Sequence, residues 1–151
     1  MTQAEWRESV DPLLMINFLE RQRYGQQLLY FTIACFRGIW DELPDDAFRR
    51  VVKHAEQMGI QHIQDPLQDA YDVLRKLERR LANASDPEEE SRLNRRIGFA
   101  RMVRAFDVQH SANAARSISR DLMAWADDAD KERRKLAEML RELVPDPFTE
   151  I

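Results

Sequence analysis

The feature that most constrains the fold of this chain is a helix-start signal, an aspartate followed directly by a proline, which precedes three of the predicted helices. The pairs are Asp11-Pro12, Asp65-Pro66 and Asp86-Pro87. An aspartate at a helix N-cap accepts a hydrogen bond from an unpaired N–H group of the first turn, and proline suits the first helical position because its nitrogen needs no partner there. Each pair therefore predicts a helix that begins at its proline.

Three helix starts also have capping-box spacing, with a Glu or Gln three positions after the cap. These pairs are Thr2 with Glu5, Asp65 with Gln68, and Asp86 with Glu89. Apolar residues at three- and four-residue spacing predict helices over 2–9, 12–23, 26–43, 44–58, 66–83, 87–109 and 112–144. The last segment would be about 50 Å long as one rod, so we predict a break near Ala126 to Asp130.

The segment 26–43 differs from the other predicted helices because apolar side chains surround it almost completely, which is typical of a buried helix. The chain is 44% hydrophobic, has only four glycines and shows no strand alternation. We therefore predict an all-α fold in which residues 1–151 form a single helical domain. It is expected to be a compact multi-helix bundle with a central buried helix and two or three long C-terminal helices.

Cysteine content and hydropathy indicate the compartment. The only cysteine, Cys35, lies in an apolar run, which excludes an internal disulfide framework and is typical of a reducing compartment. The N-terminus lacks a basic segment followed by an apolar stretch, so no secretory signal is predicted. The run from Leu28 to Phe36 is too short to span a membrane. We expect a cytoplasmic protein that makes no membrane contact.

Segments near both ends contain sequence elements that occur together in a known family. They include Glu5-Trp6, Asp11-Pro12, Met15, Phe18-Leu19, Phe31, Ala34-Cys35, Arg37, Ile39-Trp40, Leu140-Arg141-Glu142-Leu143 and Asp146-Pro147-Phe148. These segments resemble an uncharacterised, planctomycete-type bacterial family whose members open with "TEAEWL…DP..ML.FLR", continue through "LRLFACACCRRIW" and end with an "LLRDIFGNPF" element. No activity is established for the family, so the resemblance implies a fold unit and no mechanism.

The chain departs from that family at the "CACC" element, where Ile33 and Phe36 lie beside the lone Cys35. Thiolates that bind metal or perform redox chemistry cannot be replaced by apolar side chains without loss of function. Either the cluster serves only for packing, or this chain has lost its chemistry. Both interpretations predict that Cys35 is a small buried hydrophobe.

Side chains that could support catalysis are few. The three histidines are His54, His62 and His110, and only Asp107-x-x-His110 approaches the Glu-x-x-His pattern of di-iron bundles. No serine lies on a glycine-framed turn, and there is no glycine-rich phosphate loop. We therefore assign no catalytic, metal-binding or cofactor-binding residue and predict no cofactor. A metal-dependent helical-bundle enzyme is the least favoured alternative.

Charge distribution supports another alternative, a nucleic-acid-binding protein. Residues 75–104 contain nine Arg and Lys against five Asp and Glu, although the whole chain has a net charge of −4. Basic residues on a predicted antiparallel hairpin could form a stripe that contacts phosphates. They are Arg75, Arg79, Arg80, Arg92, Arg95 and Arg96. Carboxylates are interleaved among them, which favours a solvated helix surface, so nucleic acid is not the expected partner.

The leading hypothesis is a non-enzymatic helical module for protein–protein interaction, of adaptor or regulatory type. Large aromatic residues are favoured interface contacts, and the candidates are Trp6, Trp125 and Phe148. Each could instead belong to the core, and the spacing of Trp125 with Ile118 and Leu122 favours the core. The expected partner is an unidentified protein or a second copy, which would pair through a short seam of Leu136, Leu140 and Leu143.

Overall fold

The computed structural model describes residues 1–107 and 110–148, and every regular element in these ranges is a helix, which confirms the all-α prediction. The α-helices are α1 (Gln3–Glu8), α2 (Pro12–Arg21), α3 (Gly25–Gly38), α4 (Asp46–Met58), α5 (Gln64–Ala82), α6 (Pro87–Arg101), α7 (Ser111–Trp125) and α8 (Ala129–Leu143). Two 3-10 segments lie at Trp40–Glu42 and Met102–Asp107. None of the described helices combines the length and apolar character needed to cross a membrane.

Two of the three Asp-Pro pairs start helices as predicted. The Asp11 carboxylate accepts from Leu13 N at 3.0 Å, and that of Asp86 accepts from Glu88 N at 3.1 Å. The prediction for Asp65 is wrong. α5 begins at Gln64, two residues before Pro66, and its N-cap is Ile63. Proline is still accommodated there, since the N–H groups of the whole first turn have no intrahelical partner.

Two helices, α3 and α6, end earlier than the hydrophobic pattern predicted. α3 ends at Gly38 and is followed by a 3-10 turn, so the predicted range 26–43 is too long. α6 tightens into 3-10 geometry after Arg101. The predicted break in the last segment is confirmed between α7 and α8, where Asp128 caps the new helix by accepting from Lys131 N at 3.1 Å.

α3 is buried on most of its circumference, as predicted. Leu28, Phe31 and Phe36 are each no more than 1% exposed, whereas Tyr30 and Arg37 reach solvent. The chain divides within this helix into two compact units. The first unit comprises Met1–Ala34 and Val108–Ile151, and the second comprises Cys35–Asp107. That residues 1–151 form a single domain stays a prediction.

In the first unit, α2 packs against both α7 and α8, and α7 packs against α8. The inward face of α2 carries Met15, Ile16 and Leu19, all without solvent exposure. Leu136 and Leu140 of α8 are each 1% exposed, so the predicted self-association seam is wrong. These leucines belong to the core of the unit because they face its interior.

In the second unit, α5 packs against both α4 and α6. The rings of Phe36 and Phe106 stack with centroids 4.9 Å apart and planes inclined by 26°. Cys35 is 3% exposed, which confirms the prediction that it is buried. Eight apolar residues of α4 and α5 have an exposure of 2% or less: Ala47, Phe48, Val51, Val52, Ala55, Leu67, Ala70 and Leu74.

Candidate functional site

Trp6, one of the three predicted partner contacts, belongs to the core of the first unit. It is 1% exposed, and its ring lies 6.0 Å from that of Phe18. Its indole Nε1 has no hydrogen-bond partner among the described residues. A partner cannot reach this ring in the observed conformation, so the prediction that Trp6 is a surface contact is wrong.

Trp125 and Phe148, the other predicted contacts, are exposed to 39% and 36%. The helical spacing that favoured a core position for Trp125 was misleading. Ile118 and Leu122 of the same helix are buried, but Trp125 is the last residue of α7, where the chain leaves the packed face. A side chain of Asp146 fixes the backbone of Phe148, accepting from its N–H at 3.0 Å.

Phe148 lies beside apolar side chains near the start of α2, a surface that we call the α2 patch and that comprises Val10, Leu14, Phe18 and Phe148. Val10 and Leu14 are 50% and 55% exposed, and Phe18 is half-buried. Leu14 and Phe18 lie one turn apart on the same side of α2, and Val10 precedes the helix. Phe148 stacks on Phe18 with ring centroids 5.2 Å apart. The stack joins two segments that are distant in sequence.

The six arginines of the predicted basic stripe lie exposed on α5 and α6, but several are engaged. Arg75 pairs with Asp72, Arg80 lies 4.0 Å from Glu89, and Arg95 lies 3.5 Å from Glu42. These contacts place negative charge within the stripe.

The other three arginines of the stripe form no ion pair with a carboxylate within 4.0 Å among the described residues. Arg79 and Arg96 donate to backbone carbonyls, those of Arg75 at 3.4 Å and Pro44 at 3.3 Å. Arg92 is exposed. Charge interleaving and carbonyl contacts together make this surface a poor match to a row of phosphates, because five of the six guanidinium groups already have a protein partner.

The three histidines lie on different segments: His54 on α4, His62 in the turn before α5 and His110 at the N-cap of α7. His54 Nε2 lies 2.5 Å from the Gln61 carbonyl oxygen, and His62 adopts a positive φ of 56° in the turn before α5. Asp107, from the predicted Asp107-x-x-His110 pattern, accepts hydrogen bonds from α5. Within residues 1–107 and 110–148, no three His, Cys, Asp or Glu side chains are grouped so that they could hold a metal ion.

Cations surround the Trp40 ring in the second unit. The Arg37 guanidinium lies 4.0 Å from the ring centroid, with Arg49 at 6.0 Å and Lys53 at 5.9 Å. Arg37 also binds both carboxylate oxygens of Glu56, which raises the pKa of Arg37. Arg49 donates to the carbonyls of Trp40 and Leu43. These contacts fix the 3-10 turn to α4. The Trp40 ring and the cations around it therefore have a structural role.

A polar cleft lies between α5 and the 3-10 segment Met102–Asp107, again in the second unit. Its centre is the carboxylate of Asp107, which accepts from the Tyr71 hydroxyl at 3.0 Å and from Gln64 Nε2 at 3.1 Å. The cavity has a volume of about 320 Å³. Its lining residues are Tyr71, Leu74, Arg75, Glu78, Arg104 and Asp107.

The surroundings of the cleft raise the pKa of the Tyr71 hydroxyl group. Partial burial, followed by the hydrogen bond to Asp107, raises the pKa of Tyr71 from 10.0 to about 12. Both effects disfavour the phenolate, because burial penalises charge and a neighbouring carboxylate repels a second negative charge. Tyr71 therefore remains a hydrogen-bond donor at neutral pH.

A second perturbed group lies outside the cleft, on α7 of the first unit. Burial raises the pKa of the Asp121 carboxyl group.

Sequence reasoning missed this cleft, although one side of it was visible. Gln64, Tyr71, Arg75 and Glu78 follow seven-, four- and three-residue steps, a helical spacing that puts polar groups on one side of α5. The partner, Asp107, comes 36 residues after Tyr71, and no local pattern connects them.

The comparisons with known proteins gave no match. No protein-family model matches the chain, no curated protein matches it, and no solved structure matches it.

Proposed function

We propose that this chain is a non-enzymatic helical interaction module that binds a partner protein through the α2 patch. The apolar surface formed by the exposed Val10, Leu14 and Phe148 with the half-buried Phe18 is the observation that supports this proposal. Apolar area removed from water stabilises a complex by roughly 25 cal/mol per Å² before the costs of association. Exposed side chains already held in position lose little conformational freedom on binding.

The opposite face of α2 supports the proposal because it makes the patch a fixed surface. Met15, Ile16 and Leu19 are completely buried against the rest of the first unit. Asp11 caps the start of the helix, and the stack on Phe18 holds Phe148. A surface positioned in this way is pre-organised, which favours affinity.

The resemblance to the planctomycete-type family belongs to the same proposal. The N-terminal and C-terminal segments on which it rests contain Phe18 and Phe148, the two stacked rings of the patch. We propose that the chain is a cytoplasmic adaptor or regulatory module of that family. The partner is a protein with a complementary apolar surface.

The test uses the full chain as bait, first in its native cell and then with purified components. We expect a protein that co-purifies stoichiometrically and binds the purified chain in isothermal titration calorimetry. Replacing Leu14→Asp should weaken that binding at least tenfold, since a carboxylate in an apolar interface loses its hydration. The matched control is Met58→Asp, a 48% exposed apolar residue at the end of α4, outside the patch.

The two variants separate a specific interface from general stickiness. Circular dichroism and the thermal midpoint of both should match those of the unsubstituted chain because both side chains are exposed. Equal binding by the Leu14→Asp variant and the unsubstituted chain would overturn the proposal, as would equal losses in both variants. Concentration-dependent light scattering checks whether a second copy is the partner.

A further inference from the structure

The 3-10 segment Met102–Asp107 presents one polar face. Its six residues exceed the three or four that such segments usually contain, and residues three apart in 3-10 geometry project in the same direction. Arg104 and Asp107 have this spacing and are both exposed, whereas Met102, Val103, Ala105 and Phe106 are 2% exposed or less. The segment therefore directs one cation and one anion toward the same side.

The facing surface is a stripe of α5, and the two surfaces enclose the 320 Å³ cleft. Leu74, 2% exposed, supplies its apolar wall. Tyr71, Arg75 and Glu78 supply polar groups on the same side of α5. A small concave site with an apolar wall, a few convergent polar groups and a perturbed ionisable residue has the general properties of a ligand site.

Two of the four charged side chains that line the cleft have ion-pair partners. Arg75 pairs with Asp72, and Glu78 lies 3.4 Å from Arg101. Asp107 differs, because its two oxygens accept from the neutral donors Tyr71 and Gln64.

Two opposite charges remain. Within the described part of the chain, no Lys, Arg or His nitrogen lies within 4.0 Å of the Asp107 carboxylate, and no carboxylate oxygen lies within 4.0 Å of the Arg104 guanidinium. The cleft thus has one anion and one cation beside an apolar wall, and neither has an ion-pair partner within 4.0 Å among the described residues.

We propose that this cleft binds a small zwitterion of the free α-amino-acid class. The ligand ammonium group pairs with the Asp107 carboxylate, its carboxylate pairs with the Arg104 guanidinium, and an aliphatic side chain packs on Leu74. Tyr71 and Gln64 are positioning residues, since their hydrogen bonds hold Asp107 in place without contacting the ligand. This site lies in the second unit and does not depend on the proposed function of the α2 patch.

Three probes that share one side chain test the zwitterion requirement by isothermal titration calorimetry on the full chain. L-Leucine has both charges, N-acetyl-L-leucine lacks the cation, and L-leucinamide lacks the anion. We expect saturable one-to-one binding of L-leucine and at least tenfold weaker binding of each capped form. No heat with L-leucine overturns the proposal, and binding of either capped form as tight as that of L-leucine overturns the two-charge requirement.

Substitutions identify the site. Arg104→Gln and Asp107→Asn should each weaken L-leucine binding at least tenfold and reduce its discrimination against the probe that lacks the corresponding charge. The matched controls are Arg92→Gln on α6 and Asp69→Asn on α5, exposed residues that do not line the cleft. Should Asp107→Asn fail to fold, Arg104→Gln decides. Unchanged binding in Arg104→Gln, or equal losses in the controls, overturns the assignment.

Discussion

Arginine serves different purposes in two regions of this chain, the contact between α7 and α2 in the first unit and the surface of α5 and α6 in the second. In the first unit, Arg116 has a side-chain exposure of only 17% and donates from α7 to Asn17 and Glu20 of α2. In the second unit, Arg75, Arg80 and Arg95 have side-chain exposures of 53% to 57% and pair with nearby carboxylates. The residue type is the same, but the solvation of the guanidinium differs.

That difference determines how much each contact contributes. Exposed ion pairs contribute between zero and about 1 kcal/mol, because water screens them and two long side chains lose freedom. Hydrogen bonds from a partly buried charged group contribute about 1.5 to 3 kcal/mol, and loss of the donor leaves its acceptors poorly solvated. A count of arginines along the sequence therefore predicts neither stability nor function.

The largest expected effect is that of Arg116→Ala. This change removes the donor that links α7 to α2, and we expect the free energy of unfolding to fall by about 2 kcal/mol. The control is Arg120→Ala, an exposed arginine one turn further along α7, with an expected change within about 0.5 kcal/mol. Urea titrations of both variants measure the contrast. Equal midpoints would break the distinction between linking and surface arginines.

Arg141 sharpens the comparison because its guanidinium donates to backbone carbonyls at the end of α1. It reaches Ser9 O at 2.5 Å and Trp6 O at 3.4 Å, groups that a short helix leaves unpaired. We expect Arg141→Ala to destabilise the chain by about 1.5 kcal/mol and to accelerate hydrogen exchange in α1. Arg134→Ala, an exposed position on α8, should do neither. Unaltered exchange in α1 would show that Arg141 does not hold this helix.

In the second unit, the hydrogen bond from the Tyr71 hydroxyl to Asp107 is a partly buried polar contact. We expect Tyr71→Phe to lower the free energy of unfolding at pH 7 by about 1 kcal/mol, less than a buried hydrogen bond to a charged group contributes, because the site is partly exposed. The folded-state pKa of about 12 exceeds the ordinary value of 10.0. The contribution of Tyr71 is therefore complete below pH 10 and is lost as the pH rises toward 12.

Absorbance titration at the phenolate band measures this effect directly. Subtracting the curve of the Tyr71→Phe variant from that of the unsubstituted chain isolates Tyr71, and the difference should have its midpoint near 12. A midpoint near 10 would mean that the hydrogen bond to Asp107 does not form in solution.

The sequence predicted the helical class because its signals are local. Caps such as Asp11 and Asp86 act within four residues, and the burial of α3 follows from apolar side chains on nearly all of its sides. The prediction for Asp65 was wrong because the preceding turn, with positive φ at Gly59 and His62, continues directly into helix at Gln64. The geometry of this turn decides where α5 begins.

The candidate sites were harder to predict, because they join segments distant in sequence. Stacking of Phe148 on Phe18 makes the α2 patch, and the contact of Asp107 with Tyr71 makes the cleft. Trp6 shows the limit of reasoning from residue type. A tryptophan on a mixed helix face suits an interface or a core equally well, and only packing against Phe18 distinguishes the two.

The smallest expected effect is that of the double reversal Arg95→Glu with Arg96→Glu. The first change loses an exposed contact to Glu42, and the second loses a 3.3 Å bond to the Pro44 carbonyl, so the free energy of unfolding should change by less than about 1 kcal/mol.

Fluorescence anisotropy with a generic RNA or DNA duplex near physiological salt should show no micromolar binding, either by the unsubstituted chain or by the double variant, because carboxylates occupy part of the surface and the net charge is −4. Micromolar binding that falls steeply with salt and disappears in the double variant would contradict this. It would show that these arginines act together on phosphates, since counterion release produces that salt dependence. The surface arginines of the second unit would then be functional, and the distinction between the two units would have to be drawn on ligand binding instead of solvation.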